Sequence, residues 1–286
     1  MKGKLTASMS YDAIVIDGMN LAISSHVAGR SFSYNGKPTG CLYLSLRRVL
    51  SLQHSYPHAR VIVMWEGGSP RDLLLPVYKA QRPKKDNELA QAVSTTQKAF
   101  SLMGLTQMAH IGAEADDLAQ WYIQKNPEKH ILLVSTDHDW YQFLSPKVDV
   151  MMKSNVYTWM ELRHNLGFPP ERIGIVKILT GDPSDNVKGL PRFPTALARS
   201  IAAACSTYEE IPEYPFSEKQ QRWKQLILDM WPKVVVNAKV LLAHAEWIRD
   251  EAVVITPPER TAQEQAVCDN ELRTMLDHYG IRSLRF

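Results

Sequence analysis

Two short stretches of this chain carry more acid than a fold requires. "AEADDLAQWY" sets Glu114, Asp116 and Asp117 within four positions, and "VSTDHDWYQFL" sets Asp137 and Asp139 directly after an apolar run. Like charges at such spacing repel, so either a cation holds them or solvent spreads them. The pattern recurs along the chain. Asp17 closes the apolar run "AIVID", Glu66 closes "VIVMWE", and "TGDPSDN" adds Asp182 and Asp185 in a loop shaped by Gly181 and Pro183. These nine carboxylates fall in five short clusters, with no Cys and little His among them. They form a hard oxygen-donor set, suited to Mg²⁺ or Mn²⁺ and not to a structural zinc. Many carboxylates around two divalent ions is the arrangement used for in-line phosphoryl displacement by water. Each cluster alone has a plainer reading, since acids favour a helix N-terminus and a turn rich in Asp, Gly and Pro is usually only a turn. Their recurrence after one strand-like run after another favours the metal.

Such hydrolysis also needs cations to grip the substrate phosphate. "RDLLLPVYKAQRPKKD" carries Arg71, Lys79, Arg82, Lys84 and Lys85, with Tyr78 among them. A basic loop is commonly just solvated, but beside an acidic metal edge a basic and aromatic segment reads as a nucleic-acid clamp. No Gly-rich phosphate loop of the Walker type occurs, so ATP use is not indicated.

The acids must be brought together by elements distant in sequence. Continuous apolar or β-branched runs at 11–18, 59–67 and 130–137 read as strands buried on both faces, with a shorter one at 147–153. Helix-period stretches at 40–56, 88–104 and 114–125 lie between them. Strands alternating with helices imply a mostly parallel α/β sheet, which binds its ligands outside the carboxyl ends of the strands. After about Leu166 the chain reads as helices broken by Pro- and Gly-bearing loops, giving an α/β part over 1–166 and a helical part over 167–286. The 286 residues, 45% hydrophobic and 22% charged, suit a soluble globular protein. Three cysteines, far apart and outside metal-ligand spacing, point to a reducing, cytoplasmic setting without disulfides. No run is long enough for a signal peptide or a membrane span. A net charge of +3 leaves the choice of partner to local charge.

The blocks "IVIDGMN", "GKPTGCLYLSL", "VMWEGGSPRDLLLPVYKAQRP", "MGLTQMAHIGAEADDLAQW", "LLVSTDHDWYQFL" and "ILTGDPSDNVKGLP" run in order from Ile14 to Pro191. In that order they resemble the 5′-nuclease family, which includes bacteriophage flap endonucleases and the 5′–3′ exonuclease domain of bacterial DNA polymerase I. The resemblance implies a PIN-like fold and a two-metal phosphodiesterase acting in replication or repair on branched DNA, 5′ flaps or 5′-ended duplexes. Asp17, Glu66, Glu114 and Asp116 would surround one ion. Asp116, Asp137, Asp139 and Asp185 would surround the other, with Asp117 and Asp182 acting partly through water and Asp116 shared between the ions. Lys79 and Arg82 match the "YK-x-x-R" pair that contacts the scissile phosphate, so with Asp116 they are the expected catalytic residues. Arg71, Tyr78, Lys84 and Lys85 join them as DNA contacts, and residues 80–97 would belong to the arch that passes a single strand. The helical part would carry a helix-three-turn-helix-like motif that grips duplex through Arg192 and Arg199. A monomer is expected, in the host cytoplasm if phage-encoded, meeting DNA and replication proteins but no membrane.

Two departures from the family pattern stand out. Glu66 replaces the usual Asp. In "GLPRFPTALARS", Arg192 and Pro194 take the glycine positions of a Gly-x-Gly hairpin and Ala196 falls where a Lys would be, which puts a K⁺ site there in doubt. Three other readings stay open at this stage. They are a PIN-type ribonuclease, a non-catalytic protein that binds DNA branches, and an aspartate-nucleophile phosphatase using Asp17, although Met19 stands where that class has a second Asp.

Overall fold

The computed structural model describes residues 10–82, 87–257 and 259–284. The chain opens with β1 (Ala13–Asp17), α1 (Gly18–Ala28), a small hairpin of β2 (Ser33–Tyr34) and β3 (Lys37–Pro38), and α2 (Gly40–Ser55). It continues through β4 (Arg60–Trp65), α3 (Arg71–Leu74), α4 (Asn87–Leu102), β5 (Thr106–His110), α5 (Ala115–Lys125) and β6 (Ile131–Val134). A 3-10 turn over His138–Phe143 leads to β7 (Val148–Met152), β8 (Asn155–Tyr157) and α6 (Trp159–Leu166). Next come α7 (Ile173–Thr180), the hairpin of β9 (Gly181–Asp182) and β10 (Val187–Lys188), α8 (Thr195–Ala204), α9 (Gln221–Asp229) and α10 (Trp231–Leu241). The last elements are β11 (Val253–Thr256) and α11 (Ala262–His278).

Seven strands form one sheet in the order β11-β5-β4-β1-β6-β7-β8. The five central strands are parallel, and β11 and β8 pair antiparallel at the two edges. Alternation of side chains splits β1 between two cores. Ile14 and Ile16 pack with Leu46 and Phe100 on the face covered by α2 and α4. Ala13 and Val15 pack with Leu118 and Tyr122 of α5 on the other. Both faces are dry, which explains why these strands read as unbroken apolar runs. The chain builds outward from β1 to β4 and β5, then returns to place β6 on the opposite side of β1. That reversal makes a switch point at the carboxyl ends of β1 and β6, where such sheets bind their ligands.

The strands ending in acid form where the apolar runs predict them, and so do the three early helices. One parallel strand was not foreseen. β5, "TQMAH", has a polar residue in its centre because Gln107 is fully used: it accepts from the Trp65 indole at 2.9 Å and donates to the Ser101 hydroxyl at 2.8 Å. The stretch after Leu166 is not wholly helical either. Helices α7, α8, α9 and α10 share a third core around Ile178, Leu197, Ile201 and Ile227. The segment 253–281, however, returns to the sheet: β11 pairs with β5, and Leu272 and Leu276 of α11 enter the core beneath α4. Of the expected arch, Pro83, Lys84 and Lys85 lie outside the described residues, and 87–96 forms the first turns of α4, ending at the buried Thr96. Among the described residues no helix is long and apolar enough to cross a membrane.

Candidate active site

A cleft at the carboxyl edge of the sheet is lined by seven of the nine expected carboxylates: Asp17, Glu66, Glu114, Asp116, Asp137, Asp139 and Asp185. Tyr78, Lys79 and Arg82 line the same cleft. Local structure fixes each acid. Asp17 caps α1 by accepting from the Asn20 N–H at 2.9 Å, and it accepts from the Ser135 hydroxyl at 3.1 Å. Asp137 caps the 3-10 turn by accepting from the Asp139 N–H at 2.9 Å. Glu114 is the N-cap of α5 and Asp116 stands in its first turn, where the helix dipole favours negative charge. Asn20 ties the two edges of the switch point together, because its side-chain carbonyl accepts from both the N–H and the hydroxyl of Thr136 at 3.0 Å.

The chain's own cations neutralise part of this charge. Lys79 Nζ donates to Glu114 Oε2 and Arg82 to Asp185 Oδ1, each at 2.6 Å. Lys177 of α7 bridges Asp139 and, at 2.6 Å, Asp182. Lys79 is held with φ at 53°, an uncommon conformation for a side-chain-bearing residue, and its N–H donates to the Asp185 carbonyl at 2.9 Å. Burial would raise the Glu114 carboxyl, but the adjacent Lys79 and Arg71 hold it below its ordinary value. No cation pairs with Asp17 or Asp116 among the described residues. Burial, with Glu66 nearby, pushes Asp17 up to about 7. Burial, with Asp117 and Glu114 close by, holds Asp116 well above the carboxylate range. Burial also raises Asp139 and Asp185.

Among the described residues no three acids stand together as a ready-made cage. Lys79, Arg82 and Lys177 lie between them. The donor set nevertheless fits divalent cations: it is all oxygen, and burial raises the carboxyls of Asp17 and Asp116, a shift that a bound cation would oppose.

Four expected site residues have other roles. Asp117 is fully buried and faces away from the cleft. It accepts from both ends of the Arg71 guanidinium at 2.8 and 2.7 Å, from the Glu114 N–H at 3.0 Å and from the His244 N–H at 2.7 Å, so no lone pair is left for an ion or its water. Arg71, only 1% exposed, is that pair's cation and no DNA contact; it also donates to the Leu242 carbonyl at 2.9 Å and stacks on Trp247. Arg199, expected on the duplex, turns back to donate to the Leu166 carbonyl and covers the Phe168 ring. Asp182 is buried behind the cleft. It caps its turn through Ser184 N at 2.8 Å, and its carboxyl is lowered because its hydrogen bonds from Lys177 and Ser184 outweigh burial. Its route to Asp139 is the Lys177 ammonium. Sequence reasoning missed Lys177, which looks like any polar position of an amphipathic helix. Asn20 was signalled only by "DGMN". Arg192 is exposed and keeps a left-handed φ of 52°, so the glycine-like backbone survives the substitution.

An acid-lined switch point beside a basic turn suits metal-assisted hydrolysis of phosphate esters. Residues 12–167 match the family model of the 5′-3′ exonuclease N-terminal resolvase-like domain. The chain belongs to that family, as a nuclease of the 5′–3′ exonuclease and flap endonuclease class. It is 25% identical to a 5′-3′ exonuclease of Aquifex aeolicus over 92% of this chain and 93% of that one. It is 27% identical to flap endonuclease Xni of Edwardsiella ictaluri over 77% of this chain and 87% of that one. The bacteriophage T5 D15 flap endonuclease, solved as a pseudo-enzyme-product complex with DNA and metal ions, shares the fold at a TM-score of 0.62 and 22% identity, covering 94% of this chain and 99% of that one.

Proposed function

We propose that this protein hydrolyses phosphodiester bonds in DNA carrying a 5′ flap or a free 5′ end, with two divalent ions, Mg²⁺ or Mn²⁺, in the acidic cleft. The observation that carries the reading is the convergence of seven carboxylates and the Lys79–Arg82 pair on one switch-point cleft. Asp17, Glu66, Glu114 and Asp116 would hold one ion, and Asp116, Asp137, Asp139 and Asp185 the other. Bound there, the ions supply Lewis acidity and lower the pKa of water. Lys79 and Arg82 bind the scissile phosphate and stabilise the charge that builds on it, exchanging Glu114 and Asp185 for phosphate oxygens. Tyr78 supports Lys79: its ring lies 4.8 Å from the ammonium and its hydroxyl donates to Glu114 at 3.3 Å. The bond from Asn20 to Thr136 keeps the Asp17 and Asp137 edges in register. The relative solved with DNA and metal ions supports both the substrate class and the need for metal.

A labelled 5′-flap substrate, incubated with Mg²⁺, with Mn²⁺ and with excess EDTA, tests this reading. Cleavage in either metal and none in EDTA is the expected result. Undiminished cleavage in EDTA would falsify it. Cleavage of a matched RNA strand with the DNA left intact would return the protein to the ribonuclease reading.

A further inference from the structure

A second groove, about 970 Å³ in volume, runs between α3 and the 3-10 turn over Tyr208–Glu213. Among the described residues it shares no lining side chain with the cleft. Arg71 separates the two: its guanidinium stands 3.8 Å from Glu114 on the cleft side and 4.9 Å from the centre of the Trp247 ring on the groove side. The floor is apolar, made by Ile175 of α7, Leu242 and Trp247. Trp247 is set in place by His244, which stacks on it at 4.1 Å and is itself held by Glu246 at 2.6 Å and the Lys239 carbonyl at 3.1 Å. One wall is α3, whose Leu73 is 84% and Leu74 39% exposed. An apolar floor running into two open leucines is the kind of surface that marks an interaction site. The rim is acidic: Glu171, Glu209 and Glu246 stand there against one ammonium, Lys239, and all four are exposed. Arg172 reaches the Ser206 hydroxyl at 3.4 Å but is turned onto the Ala203 carbonyl at 3.0 Å.

We propose that this groove docks a basic amphipathic helix of another protein, with its apolar face on Leu73, Leu74 and Trp247 and its lysines or arginines on Glu171, Glu209 and Glu246. Charge selects the partner. The rim repels phosphates, which excludes nucleic acid as the occupant. A second copy meeting face to face across a two-fold axis would set these carboxylates against themselves. A basic partner is attracted and steered by the same acids. Secondary structure selects the partner's conformation. No strand lines the groove, so an extended segment finds no ladder to join, whereas a helix can lay its apolar face on the floor. Trp247 and Tyr208, both half-buried, supply the rigid aromatic anchors that carry much of the binding energy in such contacts. Because Arg71 closes the floor off from the cleft, a docked helix leaves the acidic edge of the sheet free. This inference does not depend on the activity proposed for the cleft.

Fluorescence anisotropy in Mg²⁺ tests it, with a labelled synthetic helix carrying leucines on one face and lysines on the other, while hydrogen exchange locates the contact. Micromolar affinity is expected, with exchange slowed at 70–75 and 206–210 and unchanged at 137–139. The same peptide with glutamate in place of every lysine should bind about tenfold more weakly or not at all. Leu73→Ser, at a position outside the core, should weaken binding of the lysine peptide by about tenfold, the value of one buried leucine. Glu209→Lys should weaken it several-fold, and neither variant should change the melting temperature. Absence of binding overturns the proposal, as does equal binding of the two peptides or wild-type affinity in both variants. Protection centred on 137–139 would put the peptide in the acidic cleft and overturn it as well. A free protein whose mass rises with concentration, and does not in Leu73→Ser, would assign the groove to a second copy instead.

Discussion

Replacing Arg71 by methionine removes the cation from a pair that is 1% and 0% exposed at its two side chains. Asp117 would keep its bonds from the Glu114 and His244 N–H groups. It would nevertheless be left as a charge with no counter-ion and no water. Breaking one side of such a pair costs about 3–5 kcal/mol. No screening discount applies, because solvent reaches neither partner. For a chain of this size that amounts to a fall in melting temperature of about 6–15 °C. Adding Asp117→Asn neutralises the stranded charge while keeping an acceptor for one of the two N–H groups, which bond to different oxygens of Asp117, so the double variant should melt above Arg71→Met alone. Thermal unfolding followed by circular dichroism measures both variants, and anisotropy at a temperature where each is folded measures duplex affinity. The expected pattern is a large non-additive stability effect with DNA affinity unchanged. An Arg71→Met variant that melts like wild type and binds duplex weakly would return Arg71 to the DNA-contacting surface and refute the buried-pair argument.

Three further outcomes are expected. Asp116→Asn should abolish cleavage while leaving the melting temperature and duplex binding intact; turnover within a few-fold of wild type would show that the cleft is wrongly assigned. Lys79→Ala should lower the single-turnover rate by roughly 10² or more, the usual scale for a donor to developing charge, and a change confined to affinity would contradict that role. Asp17, held at about 7 against an ordinary 3.8, gives the metal-free fold an extra proton between those values, so stability should fall as pH rises through that window. Asp17→Asn should flatten the slope and stabilise the metal-free protein at pH 8 by about 1–2 kcal/mol, a figure discounted for partial solvent contact; equal melting temperatures for variant and wild type at pH 8 would refute it.

The strands and their terminal acids were legible because both signals are local. An apolar run buried on two faces has no polar residue until it leaves the sheet, so Asp17, Glu66 and Asp137 mark strand ends directly. Helix faces were less legible. Glu114 and Asp117, three residues apart, share a face by spacing. Which side of that face meets the cleft depends on Arg71, 46 positions from Asp117 in the chain. β5 was hidden because Gln107 looks polar until Trp65 and Ser101 are in place around it. Lys177 was missed and Arg199 misplaced for a related reason: a cation on a helix gives no sign of whether its head reaches solvent, a carboxylate or a carbonyl.

Within the single stretch 71–82, arginine and lysine side chains do two different jobs, and exposure separates them. Arg71 and Asp117 are sealed at 1% and 0%, so pulling them apart would strand two charges in a dry interior. No phosphate can compete for that arginine. Lys79 and Glu114 stand at 22% and 11%, and Arg82 and Asp185 at 47% and 8%. Each of these pairs has a cation open to the cleft, where water or a substrate oxygen can take over its hydrogen bonds as it leaves. The carboxylate it leaves behind lies among the acids that a divalent ion would neutralise. Arg82, the more exposed of the two cations, is the easier to transfer. Lys79 is tied more tightly, through its left-handed backbone and its contact with Tyr78, so in the proposed reaction its ammonium would have less freedom to wander from the phosphate. The sealed pair anchors the first turn of α5, and with it Glu114 and Asp116, while the open pairs can exchange partners during a reaction. That division lets one basic segment both fix the position of the acids and remain available to substrate.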